Sequence, residues 1–214
     1  VASGTITIAF AGAMTYDSLP RIMVRARADL PEIRLELIQM ESAAQHEAIR
    51  IGHIDIGLSR PLAPTPLIDH LLVAREPMML AIPQQHPVAM RRRPTLDLIE
   101  GEPFIAFSPA ARYMHDKLDA LFAAQGIQPD VVQRLTHSQA ILSLVSVGFG
   151  LAIVPQEARN ACFDNVVFRP LERWLDCHAD THANWSVENM NPALREFRAM
   201  LKSEQMRVRG GNGV

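Results

Sequence analysis

The sequence predicts an α/β fold of two Rossmann-like lobes that are joined by two crossover strands. Strand and helix patterns alternate along the chain, which favours largely parallel sheets. The pattern of the first half recurs in the second half, which indicates two similar lobes. A strand and a helix near the end of the chain return to complete the first lobe. We therefore expect lobe I to hold residues 1–75 and 183–214, and lobe II to hold residues 76–182.

The first half alternates short apolar strands with amphipathic helices. The predicted strands are Thr5–Ala11, Ile33–Ile38 and Ile54–Leu58, and the predicted helices are Tyr16–Leu30 and Ser42–Gly52. β-branched residues and a period of two mark the strands, whereas apolar residues at helical spacing mark the helices. Ser42 and Gln45 stand at the spacing of a capping box, so the second helix is expected to begin at Ser42.

The second half repeats this order after a first crossover. The crossover consists of Leu71–Ala74 and Met78–Pro83, two extended segments separated by a break at residues 75–77. The predicted strands that follow are Phe104–Phe107, Val131–Leu135 and Leu151–Val154, and the helices are Tyr113–Gln125, capped by Gly126, and a helix from Ser138 to Gly148.

The end of the chain supplies the return path and a tail. Ala183–Glu188 is predicted as the strand of the second crossover, and Pro192–Leu201 as a helix with three inward apolar residues. The Gly-rich stretch Arg207–Val214 is expected to be disordered.

The composition excludes several classes of protein. No apolar run approaches the roughly 20 residues that span a bilayer, and residues 1–4 show no signal-peptide pattern, which disfavours export. The net charge of −2 argues against a nucleic-acid-binding module, and the run Arg91–Arg93 fits an exposed turn. Two cysteines, Cys162 and Cys177, are too few for a disulfide scaffold, so we expect reduced thiols and a cytoplasmic protein.

The predicted topology favours a site for a small organic anion in the cleft between the lobes. Ligands of open parallel sheets lie beyond the carboxyl ends of the strands, where helix N-termini favour negative charge. Four strand-to-helix loops face this cleft, and hydroxyl groups lie in these loops. The side chains expected to hold or cover the anion are Met14, Thr15, Ser42, Arg60, Phe107, Tyr113, His137 and Phe149. Ser42 and Ser138, taken singly, are more often simple helix caps, and it is their joint placement around one cleft that favours a ligand site.

Enzymatic and metal chemistry find little support in the sequence. The cluster of Cys177, His178, Asp180 and His182 lacks a second Cys or His pair at a supporting spacing, so a polar loop is preferred to a zinc site. The stretch Gly148-Phe149-Gly150 lacks the third glycine of a dinucleotide-binding motif, and no hydrolase elbow is present. His137 is the best acid–base candidate, yet no nucleophile can be assigned to it. We expect neither catalytic residues nor a metal or cofactor.

The order of several segments resembles the effector-binding domain of LysR-type transcriptional regulators. The segments are Gly4–Ile8, Leu19-Pro20, Pro31–Leu37, Gly52–Leu58 and Val147–Pro155, and the similarity covers residues 4–202. Ser59-Arg60, together with Ser42, is most similar to the branch that senses muconate or benzoate in aromatic catabolism. This resemblance implies a fold like that of type II periplasmic binding proteins.

The resemblance also implies positions of ligand contact. Ser42 matches a hydroxyl of the second loop, and Arg60 matches a basic residue of the branch. Ser59, which precedes Arg60, is expected to contact the ligand as well. Ala13 stands where the muconate sensors have a first-loop serine, with Thr15 as a possible substitute, and His115 lies in a loop that gives backbone contacts. A second benzoate site of some relatives is not expected, because Ala74 replaces an arginine.

The resemblance further implies partners. The domain is expected to bind a small organic acid, to form a homodimer or homotetramer, and to contact DNA only through an N-terminal winged helix-turn-helix that this chain lacks. No membrane contact is expected. The alternatives are a solute-binding protein of a transport system and an enzyme on a similar core; an export signal or a catalytic residue set would distinguish them.

Overall fold

The computed structural model describes residues 3–172 and 175–210, with side chains up to residue 203. The strands of this part are β1 (Gly4–Phe10), β2 (Ile33–Gln39), β3 (Ile56–Ser59), β4 (Ile68–Pro83), β5 (Pro103–Phe107), β6 (Asp130–Leu135), β7 (Ala152–Pro155), β8 (Val166–Pro170) and β9 (His178–Ser186). The α-helices are α1 (Ser18–Asp29), α2 (Ser42–Arg50), α3 (Arg112–Gln125), α4 (Ser138–Ser146) and α5 (Pro192–Gly210).

The chain divides into two compact units, and two strands run from one unit into the other. Unit 1 comprises Val1–Arg75 and Asp180–Val214, and unit 2 comprises Glu76–Ala179. β4 passes from unit 1 into unit 2, and β9 passes back. The second boundary therefore lies three residues before the expected boundary after residue 182.

Unit 1 is built on a parallel β2-β1-β3 arrangement, in which β1 pairs with both neighbours. β9 adds to β3 in the antiparallel direction. Its core brings together the first strands and the end of the chain: Ile6, Ile8, Leu58, Trp185, Leu194 and Phe197 are almost completely buried. The late strand and helix thus complete the first unit, because their apolar faces find partners there.

Unit 2 combines a parallel pair with antiparallel strands. β5 and β6 run parallel, with an irregular register between Phe104 and Ile105. β7 and β8 both pair with β4 in the antiparallel direction. Leu151, just before β7, also bridges Phe104 of β5 in the parallel direction. The expectation of largely parallel sheets therefore fails where β7 pairs with β4 and where β9 pairs with β3.

Several predicted boundaries also need correction. β4 is one strand of 16 residues that continues through the expected break at Pro77. β9 begins at His178, so residues 178–182 are not the expected polar loop. α5 continues to Gly210, which makes residues 207–210 helical rather than disordered, while residues 211–214 lie outside the described part. β8 was not predicted. No helix of the described part is both long and apolar enough to cross a bilayer.

Candidate ligand-binding edges

Three loops leave the carboxyl edge of the parallel strands in unit 1, as the topology requires. Backbone hydrogen bonds tie these loops together: Ala11 N donates to Leu58 O at 3.0 Å, and Met40 N donates to Phe10 O at 2.9 Å. The loops after β1, β2 and β3 therefore lie side by side. In open parallel sheets this is the edge at which ligands bind.

The loop after β1 forms a short 3-10 helix, Gly12–Tyr16, that leaves no hydroxyl proton of Thr15 for a ligand. Thr15 Oγ1 donates to Gly12 O at 2.7 Å. Met14 is fully buried in the core of unit 1, and Ala13 is half-buried against the same core. The structure therefore does not support the expectation that Thr15 donates a hydrogen bond to a ligand. It also does not support the expectation that Met14 packs against the carbon skeleton of a ligand.

The loop after β2 leads into α2, and its geometry differs from the expected capping box. The N-cap residue is Glu41, whose carbonyl accepts hydrogen bonds from Ala44 N and Gln45 N at 3.0 and 3.2 Å. Ser42 is consequently the first helical residue. It is half-buried, and within the described part of the chain its Oγ has no hydrogen-bond partner. The hydroxyl is thus available at the positive end of a helix.

Gln45, which the sequence pattern placed in a capping box, is instead a buried residue of this edge. Its Nε2 donates to Met40 O at 2.9 Å and to Leu58 O at 3.1 Å, which joins the loop after β2 to the end of β3. A Cβ atom on Gly57 would lie only 2.3 Å from Gln45 Oε1. Gly57 therefore makes room for the amide that holds this edge together.

The loop after β3 contains a serine that is already engaged. Ser59 is fully buried, its Oγ donates to Arg60 O at 2.7 Å, and it accepts a hydrogen bond from Asn184 Nδ2 at 3.0 Å. These contacts argue against direct binding of a ligand by Ser59. They indicate instead that Ser59 fixes the chain direction at Arg60.

Arg60 is a buried cation that contacts the returning strand. Only 6% of the residue is exposed, and Nη1 donates to Asp180 O and to Thr181 Oγ1, both at 3.2 Å. Its position next to the carboxyl edge of β3 keeps it as a candidate partner for a carboxylate. The sequence gives no reason to assign Asp180 and Thr181 a role, because they are 120 and 121 residues from Arg60 along the chain.

Unit 2 has a corresponding edge after β5 and β6. Ser108 N donates to Leu135 O at 2.9 Å, and the hydroxyls of Ser108 and Thr136 are 3.0 Å apart. One hydroxyl must donate to the other, so one O–H of the pair remains for another acceptor. The sequence did not single out either side chain as a ligand contact, although both lie in loops that the topology indicated.

The remaining candidates of unit 2 have different environments. Phe107 is buried in the core and Tyr113 packs against it, with Lys117 Nζ 5.2 Å from the centre of its ring. His137 is the exposed N-cap residue of α4 and makes no side-chain capping bond. Phe149 is 48% exposed. Tyr113, His137 and Phe149 therefore reach the surface of unit 2 to different degrees.

His115 and Phe107 share a cavity of about 440 Å³ between α3 and the β5–β6 pair. His115 Nδ1 lies 3.0 Å from Asp116 Oδ1, and Nε2 lies 3.4 Å from Asp119 Oδ2. The hydrogen bond from His115 lowers the pKa of Asp116. The ring is therefore held by α3 itself. His115 lies inside α3 rather than in the expected loop, and its backbone N–H already donates to Ala111 O at 2.9 Å, so the expected backbone contact with a ligand is not supported.

The cysteine and histidine cluster around Cys177 does not form a metal site. Among the described residues, no group of three or more His, Cys, Asp or Glu side chains is arranged to hold a metal ion. Cys177 is a free thiol, and burial raises its pKa. Cys162 is a free, exposed thiol.

Two α/β units, two crossover strands and a polar edge in each unit define a ligand-binding domain of the two-lobed class. The family model described as the LysR substrate binding domain matches residues 1–206. The chain therefore belongs to the LysR substrate-binding domain family, and the resemblance seen in the sequence motifs is confirmed. The predicted α/β fold class is confirmed as well.

Curated relatives agree with this assignment. The Hca operon transcriptional activator HcaR of Escherichia coli (strain K12) is 31% identical over 92% of this chain and 67% of its own length. The transcriptional regulator AlsR of Bacillus subtilis (strain 168) is 30% identical over 96% of this chain and 68% of its own length. The chain thus spans about two thirds of these regulators.

A solved structure shows the same fold with a ligand. The effector-binding domain of BenM, a regulator of Acinetobacter baylyi, in complex with its effector benzoate, superposes with a TM-score of 0.83 at 26% identity. The match covers 99% of this chain and 95% of that domain.

Proposed function

We propose that this chain is the effector-sensing part of a bacterial transcription regulator and binds a small organic acid without transforming it. The observation that carries the proposal is Ser42, whose hydroxyl lies without a partner in the described part of the chain at the N-terminus of α2. A helix N-terminus and a free O–H group both favour a carboxylate. Arg60 follows β3, whose end is joined to α2 by the Gln45–Leu58 hydrogen bond, and adds positive charge.

The class of ligand follows from the relatives and from the polar edges. BenM binds benzoate, and an aromatic or dicarboxylic acid fits an edge with one hydroxyl donor and one guanidinium. The reported relatives are transcription regulators, which supports a regulator rather than the transport alternative or an enzyme. In this proposal, another part of the regulator contacts DNA. The regulator acts in the cytoplasm, and the domain self-associates as a homodimer or homotetramer.

Calorimetry with matched acids and amides tests the proposal. Benzoate and muconate are titrated into the domain, with benzamide as the neutral analogue of benzoate. We expect an acid to bind at least about tenfold more tightly than its amide, since one lost charged hydrogen bond costs about 1.5–3 kcal/mol.

A thermal-shift screen of further aromatic acids and diacids extends the test. An acid at about 100 times its dissociation constant adds about 2.7 kcal/mol to the stability of the domain. Equal affinity for acid and amide, or no stabilisation by any acid in the series, contradicts the proposed function.

A further inference from the structure

Two histidines of unit 1 stack face to face across neighbouring strands. His70 lies in β4 and His182 lies in β9; their ring centres are 4.6 Å apart and the rings are inclined by only 8°. His70 is exposed, whereas His182 is half-buried. Two neutral imidazole rings stack favourably at this distance, but two imidazolium cations repel each other.

The charged groups around the pair come from the same two strands. Arg75 of β4 forms a two-pronged ion pair with Asp180 of β9, with N–O distances of 2.7 and 2.8 Å. Asp69 precedes His70, and its Oδ1 accepts the hydrogen bond of the His70 backbone N–H. On the third strand, Ser59 of β3 lies opposite His182. Because the Asp180 carboxylate is paired with Arg75, it stabilises the protonated form of His182 only weakly.

These surroundings favour the neutral form of His182. Burial lowers the pKa of His182 most, and the neighbouring His70 lowers it further. Asp180 opposes these effects and Arg75 adds to them. The net result is a pKa of His182 below its ordinary value.

We propose that His70 and His182 form an acid-sensitive clasp, which joins β4 to β9 while both rings are neutral and separates when they become protonated. At neutral pH the stack adds a side-chain contact between the two strands that connect the units. In acid, a second positive charge on the pair drives the rings apart. Unit 1 then loses this contact next to its returning strand.

The direction of the pH effect follows from the depressed pKa. In the unfolded chain His182 binds a proton near its ordinary pKa of about 6.5, whereas the folded chain resists protonation until a lower pH. The contribution of the clasp to the free energy of unfolding is complete above the unfolded-state pKa of His182, about 6.5. It is lost as the pH falls through the window between the unfolded and the folded pKa.

The clasp also reaches the candidate ligand edge. Arg60 Nη1 is anchored on Asp180 O and Thr181 Oγ1, the two residues before His182. Loosening of β9 at these positions therefore frees the guanidinium to move. This link rests on the proposed function, whereas the acid-sensitive stability does not.

Unfolding measurements at several pH values test the clasp without any ligand. The melting temperature of the parent chain and of His182→Phe is measured at about pH 7.5, 6.5 and 5.5, a range that spans the ordinary imidazole pKa. Phe keeps a stacked aromatic ring but cannot bind a proton. We expect the parent to lose markedly more stability in acid than this variant, while His53→Gln, at an exposed position of the same unit, keeps the parent's pH dependence.

A second variant and a spectroscopic readout keep the test decisive if His182→Phe does not fold. His70→Phe removes the exposed partner and is likewise expected to flatten the pH dependence. NMR of the imidazole protons should show His182 titrating below its ordinary range in the parent and closer to it in His70→Phe. Parallel pH profiles for the parent and a folded variant, or an ordinary titration of His182 in the parent, overturn the proposal.

Discussion

Two hydroxyls at the edge of unit 1 differ in the one property that matters for an anion, a free proton. Thr15 donates its proton to Gly12 O within its own turn, whereas Ser42 has no hydrogen bond from Oγ within the described residues. The sequence places both residues in strand-to-helix loops and does not distinguish them. The difference arises because Glu41, rather than Ser42, is the N-cap residue of α2.

Substitution of Ser42 by alanine tests this difference. Removal of a donor to a charged group costs about 1.5–3 kcal/mol, so Ser42→Ala should weaken binding of an effector acid about ten- to a hundredfold. The melting temperature should change little, because Ser42 is not the cap of its helix. Calorimetry and thermal unfolding measure the two effects separately.

Ser146→Ala serves as the matched control. Its hydroxyl donates to Ser143 O inside α4, so this variant removes the same atom from a helix without touching either edge. It should bind the acid as the parent does. Unchanged affinity in Ser42→Ala would show that the ligand is held elsewhere.

The buried polar contacts of unit 1 show what a sequence does not reveal at the residue scale. The pattern of Ser42 and Gln45 predicted a local capping box, but Gln45 instead bonds to the carbonyls of Met40 and Leu58. Ser59 was predicted to bind ligand, but Asn184 approaches it from 125 residues away. Partners so far apart along the chain leave no pattern in the local sequence. The residue types therefore indicated polar side chains at this edge but not which groups they would bond to.

Among the elements, the sequence predicts those with a clear period and misses those that depend on neighbours. β1, β2 and the helices α1 to α4 appear near their expected positions because their apolar residues recur regularly. β8 is only half-buried and ends in Pro170, so its signal is weak. β4 continues through Pro77 because the exposed proline needs no amide hydrogen there; the next residue, Met78, donates to Cys177 O.

The two glycines after α4 serve different structural roles. Gly148 has a φ of +81° and open space around its Cα, so it ends the helix in a left-handed conformation. Gly150 lies against β5, where a Cβ atom would stand 2.7 Å from Pro103 O. The bond from Leu151 N to Pro103 O, at 2.8 Å, requires this close approach.

Asparagine at each position separates the two roles. Gly148→Asn should cost less than about 1 kcal/mol, because asparagine tolerates the left-handed region. Gly150→Asn should cost about 1–3 kcal/mol through overpacking against backbone atoms that cannot move freely. Urea unfolding of the two variants measures the difference, and equal losses would contradict the close-approach explanation.

On the scale of the whole molecule, exposed apolar side chains bear on self-association. Helix α1 presents Val24 with 65% of its surface exposed. Leu37 on the edge strand β2 is 44% exposed. Apolar side chains on an outer helix and an unpaired edge strand are the features by which copies of a domain associate.

We expect the domain to be at least dimeric at tens of micromolar and Val24→Asp to shift it toward the monomer, since a charge would have to lose its water in the contact. Sedimentation velocity measures the change. Met190→Asp is the control, because Met190 is 88% exposed in the same unit. A monomeric parent, or equal effects of the two substitutions, would count against a contact through α1.

The discontinuous composition of unit 1 has a consequence for synthesis on the ribosome. Its first 75 residues emerge early, but Trp185, Leu194 and Phe197 of its core arrive only after the whole of unit 2. Unit 2 is continuous in sequence and can close while translation proceeds. Unit 1 cannot complete its core until these three residues have been made, and until then Ile6, Ile8 and Leu58 remain exposed to solvent. Newly made chains are therefore most exposed to aggregation and chaperone capture through β1 and β3, until α5 leaves the exit tunnel.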